Sequence, residues 1–221
     1  MFVDRLDAGR RLAEALSRDT AVDGALVLGL PRGGVVVAAE VARMLGMPLD
    51  FVGVRKIGAP SNPEFAVGAI AEGGARVKDE ETCRLLGISP RSWDDVEGVE
   101  SRELARRVVA YRGDRRPPDL IGRSVVIVDD GLATGATALA ACRSVRARGA
   151  MRIVVAVPVA PAEWREGPLA READGLVAVL EPEDLRAVGR FYRDFAATSD
   201  EQVIDMLAAA ASRTDGGADR R

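Results

Sequence analysis

The sequence predicts an α/β fold built on a parallel sheet, and two observations carry that prediction. Short apolar runs alternate along the chain with stretches of helical periodicity, the pattern of strand–helix–strand crossovers. Glycines fall where such crossovers turn, either between a strand and a helix or just past a helix end. The 221 residues fit one domain and suffice for a substantial core.

Taken in order, Ala25–Leu30 (ALVLGL) reads as a buried strand and Gly33–Leu45 as the helix after it, closed by Gly46. Leu49–Arg55 (LDFVGVR) is a second strand. Phe65–Ala71 and Ala75–Lys78 flank Glu72-Gly73-Gly74, which predicts a hairpin. Ser124–Asp129 is the next strand, Ala136–Arg148 its helix with Gly149 as cap, and Arg152–Val157 the strand that follows. Gly175–Leu180 supplies one more. The polar stretch of about 79–118 breaks this rhythm and reads as a helical insertion, with a helix near Ser101–Arg112 and a stop at Pro117-Pro118. Ser199 and Gln202 have capping-box spacing ahead of Val203, Ile204 and Leu207, so a last helix starts there. The tail 215–221 is expected to be disordered.

Composition removes several classes of chemistry. The net charge is −3, without the basic excess that a nucleic-acid or acidic-membrane partner calls for. The sequence has no histidine, which excludes imidazole acid–base catalysis, serine–histidine triads and imidazole metal sites. Cys83 and Cys142 are isolated and fit packing roles in a reducing compartment. The N-terminal segment carries charges throughout, and no stretch has the apolar length of a membrane span. A soluble, cytoplasmic protein is expected.

The chemistry concentrates in VVIVDDGLATGAT, Val125–Thr137. An apolar strand ends in Asp129 and Asp130, and a turn of small residues leads into a helix. Ligands in open α/β sheets bind at the carboxyl ends of strands. A glycine-containing turn at a helix N-terminus holds anions through backbone N–H groups, and Thr134 and Thr137 add hydroxyl donors. Two carboxylates beside such a turn suit vicinal hydroxyls. Ribose 5-phosphate offers that combination. The stretch resembles the phosphoribosyl pyrophosphate (PRPP) signature of the type I phosphoribosyltransferases. A receiver-domain acidic pair is the competing pattern, but it lies after the first strand and lacks the ATGAT turn.

Two further segments agree with the resemblance. GLPRGGVVVAAE, Gly29–Glu40, places Arg32, Gly33 and Gly34 between a strand and a helix, and matches neither GxGxxG nor a Walker A loop. The family holds pyrophosphate at this loop, and Gly33 and Gly34 allow close approach and positive φ. In VRKIGAPSNPEFAVGAI, Val54–Ile70, Arg55 and Lys56 precede a stretch, Gly58–Pro63, that reads as a mobile loop. The resemblance implies that this loop closes over pyrophosphate and that the basic pair neutralises it. Glu64 reads as surface, with a metal or water network as its other role. Together with the "NPEFAVGA" block, the likeness extends over nearly the whole chain and is that of bacterial phosphoribosyltransferases of unassigned substrate.

The resemblance implies an open parallel five-stranded sheet flanked by helices, with a small hood built from the chain's ends. The domain is then 1–214, with its core at about 21–78 and 119–180 and its hood from the N-terminus and about 181–214. Phe191, Tyr192 and Phe195 crowd into the hood segment GRFYRDF, where Tyr192 either stacks on a base or packs the hood core. PVAPAE, Pro158–Glu163, lacks the lysine that 6-oxopurine enzymes use there. The expected function is Mg²⁺-dependent transfer of the 5-phosphoribosyl group from PRPP to a nitrogenous base. Asp129 and Asp130 grip ribose, Ala133, Thr134, Gly135, Ala136 and Thr137 hold the 5-phosphate, and Arg32–Gly34 with Arg55 and Lys56 hold pyrophosphate. Mg²⁺ is held mainly by PRPP and water, with Asp129 or Asp130 as the candidate protein ligand. A PRPP sensor without turnover is the alternative, and a phosphate-ester hydrolase lacks a nucleophile. The expected partners are PRPP and a base, without nucleic acid or membrane, and a homodimer is an open option.

Overall fold

The structure, a computed structural model, describes residues 1–18 and 22–218. Five strands form a parallel sheet: β1 (Leu26–Gly29), β2 (Leu49–Phe51), β6 (Ser124–Val128), β7 (Arg152–Val159) and β8 (Gly175–Leu180), in the order β2-β1-β6-β7-β8. Three more strands, β3 (Val54–Ala59), β4 (Asn62–Ala71) and β5 (Arg76–Lys78), make a separate antiparallel sheet. The five-stranded parallel core expected from the sequence is therefore present, and the hairpin at Glu72–Gly74 joins β4 to β5.

The parallel strands are near-continuous apolar runs because both faces are covered. Val125 and Ile127 point to one side, with Leu28, Ile153 and Val155, and meet helix α5 (Ala136–Ala147) and the antiparallel sheet. Val126 and Val128 point to the other side, with Val27, Val154 and Ala156. There they meet α1 (Arg5–Leu16), α2 (Gly33–Leu45) and α7 (Asp200–Ala218). The capping box of α7 is formed: Ser199 N–H donates to Gln202 Oε1 at 2.9 Å, and Gln202 N–H to Ser199 Oγ at 3.2 Å. The helix runs to Ala218, into the stretch expected to be a disordered tail; 219–221 lie outside the described residues.

Three expectations need correction. The strand read as Leu49–Arg55 breaks after Phe51 and resumes in the other sheet at Val54, and a Cβ at the intervening Gly53 would lie 2.5 Å from Val108 Cγ2 of the overlying insertion. Only glycine lets that helix cross so closely. The stretch Gly58–Pro63, read as a mobile loop, is the tip of the β3–β4 hairpin, with Ala59 paired to Asn62. In the insertion, α3 (Glu80–Leu85) is followed by α4 (Pro90–Arg112), which begins well before Ser101. Ser89 caps α4, accepting from Ser92 N–H at 3.1 Å, and Pro90 takes a first-turn position where its missing N–H costs nothing.

The insertion is fastened to the core by charge as well as apolar packing. Ile57, Val67, Ile70, Cys83, Trp93 and Leu104 form its core with the hairpin. At the far end, buried Arg112 pairs with Asp50 at 2.9 Å, sits 4.3 Å over the Phe51 ring, and approaches Glu72, which also takes Arg148 at 3.0 Å. Burial pushes the Glu72 carboxyl up, against the pull of Arg112 and Arg148. The chain's ends meet in a hood, where Phe2 N–H donates to Phe191 O at 2.7 Å and Phe2 packs with Ala8, Val159 and Tyr192. Cys83 and Cys142 are buried free thiols, and burial holds the Cys142 thiol up at about 12. Among the described residues no helix is long and apolar enough to cross a membrane.

Candidate active site

Strand β6 delivers Asp129 and Asp130 to the carboxyl edge of the sheet, where the covering side chains end. Asp130 N–H donates to Asp129 Oδ1 at 2.9 Å, a contact that fixes the first carboxylate against its own backbone. Burial raises the Asp129 carboxyl well above the ordinary range, and the neighbouring Asp130 charge adds to the shift. Burial also raises Asp130, but Arg5 opposes it. The Arg5 guanidinium reaches Asp130 Oδ2 at 2.8 Å, lies 3.9 Å over the Phe195 ring, and donates to Ala196 O at 2.7 Å. Asp4 makes this possible by capping α1, accepting from Asp7 N–H at 2.8 Å and so fixing the helix turn that carries Arg5.

The glycines of the first loop are explained by these carboxylates. A Cβ on Gly33 would lie 1.9 Å from Asp130 Oδ2 and 2.6 Å from Arg5 Nε, and one on Gly34 2.8 Å from Asp129 Oδ1. Close approach is the requirement here. The expected freedom of φ is not used, since neither Gly33 nor Gly34 is among the positive-φ glycines. The peptide bond between Pro31 and Arg32 is cis. Arg32 is partly exposed and faces Asp200 at 3.7 Å, whose carboxylate also accepts from Tyr111 at 2.6 Å and Arg106 at 3.1 Å.

After Asp130 the chain runs through Gly131 and Leu132 into the turn Ala133–Thr137. Gly135 adopts φ 74° and serves as N-cap of α5, so the helix's first amides open onto the turn. Asp129 and Ala133–Thr137 line one cavity of about 300 Å³, together with Lys56, Phe65, Leu132 and Val188. A Cβ on Gly131 would lie 2.3 Å from Val188 Cγ1, so the hood presses directly on this wall.

Arg55 and Lys56 are neighbours on β3 and both border a cavity at the hairpin tip, with Gly58, Pro60, Pro63 and Glu100. Lys56 reaches the cavity with Asp129, while Arg55 is ion-paired with Glu100 of α4. Tyr192 is displaced from its proposed stacking role. It is buried between Phe2 and Phe195, with ring centroids at 5.2 and 4.9 Å, and its hydroxyl donates to Asp130 O at 2.5 Å. Tyr192 thus packs the hood core and supports the Asp130 backbone. Arg5, Phe65, Val188 and Asp200 were not identified as site residues. The partners of Arg5 and Asp200 lie too far along the chain for any local signal, whereas Phe65 stood in a quoted block.

Against this geometry the likeness to known proteins is decisive. A family model described as the phosphoribosyl transferase domain matches residues 3–178. This chain belongs to that family. The chain is 46% identical to TT1426 from Thermus thermophilus, whose crystal structure it matches with a TM-score of 0.76 over 94% of this chain and 98% of that one. A Mycobacterium tuberculosis protein, Rv0571c, provisionally named a phosphoribosyl transferase, is 46% identical over 207 residues, 94% of this chain. The chain spans about half the length of the curated relatives it matches, 46% in this case. AQ2163 from Aquifex aeolicus, 14% identical with a TM-score of 0.51, shares the fold.

Proposed function

We propose that the protein transfers the 5-phosphoribosyl group of PRPP to a nitrogenous base, releasing pyrophosphate with the help of Mg²⁺. The observation that carries this reading is the shared cavity of Asp129 and the Ala133–Thr137 turn, with the adjacent Asp130 carboxylate held by Arg5. An anion cradle and two carboxylates side by side suit a ribose 5-phosphate: Asp129 and Asp130 accept from the ribose hydroxyls, and the α5 amides with Thr134 and Thr137 hold the phosphate.

Pyrophosphate goes to the N-terminus of α2, where Gly33 and Gly34 begin the helix beside Arg32, and to Lys56. Arg55, ion-paired with Glu100, borders the neighbouring cavity with Lys56 and adds positive charge on that side. Asp129 or Asp130 would hold Mg²⁺, which prefers one or two carboxylates plus phosphate oxygens. When bound, the ion would supply positive charge that offsets the departing pyrophosphate. The chain's own contribution is positioning and electrostatic stabilisation of a departing anion. With no histidine present, a carboxylate or water takes the acceptor's proton.

The test is pyrophosphate release from Mg-PRPP across a broad panel of bases. Tight Mg-PRPP binding with no release from any base overturns turnover in favour of a PRPP-binding module. Absence of binding overturns the reading altogether.

A further inference from the structure

We propose that Phe65, projected from the β3–β4 hairpin, is the platform on which the acceptor stacks, so that the acceptor is a planar heteroaromatic ring. This rests on the phosphoribosyl reading and goes beyond it, because neither the signature nor the hood assigns the residue.

The argument begins with where the aromatic rings are. The chain has five Phe, two Tyr and two Trp. Phe2, Phe51, Trp93, Tyr111, Trp164 and Tyr192 are buried, and Phe191 packs into the hood. Phe195 stacks on Tyr192 with the Arg5 guanidinium over its face. Phe65 alone among the described residues puts a ring, 49% exposed, into the cavity that holds Asp129 and the α5 turn.

The hairpin is built to aim it there. Register shifts fall between Ile57 and Gly58, whose partners step from Gly68 to Ala66, and between Gly58 and Ala59, whose partners step from Ala66 to Asn62. Val67 consequently drops into the insertion core with Trp93, while Ala66 and Phe65 both line the cavity. Simple alternation would send two successive residues to opposite faces; a bulge is the device that re-aims a side chain. Across the cavity stand Leu132 and Val188, whose branched side chains offer an apolar second wall. The polar side chains, Lys56, Asp129, Thr134 and Thr137, are those already given to the phosphoribosyl group. What remains for the acceptor is an apolar space with one π-face, which suits a flat ring better than an aliphatic amine.

Calorimetry with ribose 5-phosphate and purine and pyrimidine nucleoside 5′-monophosphates separates the two levels of the reading. In the wild type, at least one nucleotide should bind about fivefold to a hundredfold more tightly than ribose 5-phosphate, the range of base–aromatic stacking. Phe65→Ala should bring that ratio close to one, and Phe65→Leu should leave it between. Thermal unfolding confirms that each variant is folded. A ratio retained in Phe65→Ala, or a wild type that binds ribose 5-phosphate and every nucleotide alike, overturns the stacking role and leaves the phosphoribosyl reading intact. Failure of the wild type to bind any of these ligands overturns both.

Discussion

Arg5 and Asp130 meet 125 residues apart in sequence, with Nε and Nη2 of the arginine both 2.8 Å from the same carboxylate oxygen. The contact ties helix α1 to the end of strand β6 and sets the direction of a carboxylate proposed to receive ribose. Arg5→Gln should lower Mg-PRPP affinity, because a hydrogen bond to a charged group is worth about 1.5–3 kcal/mol. That is roughly tenfold to a hundredfold. Arg5→Lys should recover part of the loss, since a point charge lacks the guanidinium fork. Titration calorimetry of the three proteins checks this, and equal affinities would remove Arg5 from the site.

Asp129 has a folded-state carboxyl raised above its ordinary 3.8 by burial and by the charge of Asp130. Between the ordinary and the raised value the folded chain holds a proton that the unfolded chain has released. Stability is therefore lost as pH rises through that window. Asp129→Asn removes the cost and should raise the melting temperature at neutral pH, each ~1 kcal/mol adding about 2–4 °C. It should also flatten the decline with pH and weaken PRPP binding. Parallel melting profiles for variant and wild type over about pH 4–8 would contradict this account.

Lys56 and Arg55 should respond differently to truncation. Lys56→Ala removes positive charge from the cavity and should slow pyrophosphate release by roughly tenfold to a hundredfold, somewhat less than the loss of a preorganised oxyanion donor. Arg55→Ala breaks the link to Glu100 and should cost about 0.5–1 kcal/mol of stability with a smaller effect on rate. Steady-state kinetics beside urea unfolding separates the two. Equal rate losses would mean that both residues face the leaving group.

Arg112 is the strongest stability prediction. Arg112→Ala leaves Asp50 without its cation and Glu72 with Arg148 alone, and removing one member of such a buried cluster costs about 3–5 kcal/mol. Urea denaturation at neutral pH provides the measurement. A loss below about 1 kcal/mol would show that the acids are satisfied by other partners, Arg148 above all.

What could be read from the chain in advance was mainly local. The five parallel strands and the Asp129–Thr137 turn were legible because strand, turn and helix entry follow one another within a few residues. The capping box at Ser199 was legible for the same reason. The start of α4 was missed although Ser89-Pro90 is a local start signal, because its first turns carry few apolar residues to mark a face. The second strand was read as ending at Arg55, whereas β3 runs from Val54 to Ala59 and carries both Arg55 and Lys56, of which only Lys56 also reaches the Asp129 cavity. The crowding of Phe191, Tyr192 and Phe195 suggested a stacking site, yet rings close in sequence packed mostly on one another and on Phe2. The contacts of Arg5 and Asp200 depend on tertiary closure and leave no trace in spacing.

The near-contact of Gly33 and Gly34 with the two aspartates bears on how such a site can change over generations. A single added methyl group at position 33 meets both Asp130 and Arg5, so three distant segments of the chain cannot drift separately. A glycine loop transplanted from a relative whose acidic pair sits differently would collide or leave a gap. Natural variation in this family should therefore appear at Phe65, Val188 and the insertion, where a changed side chain meets solvent or a yielding neighbour. Under the proposed function, a changed acceptor would then leave the glycine loop and its two aspartates untouched.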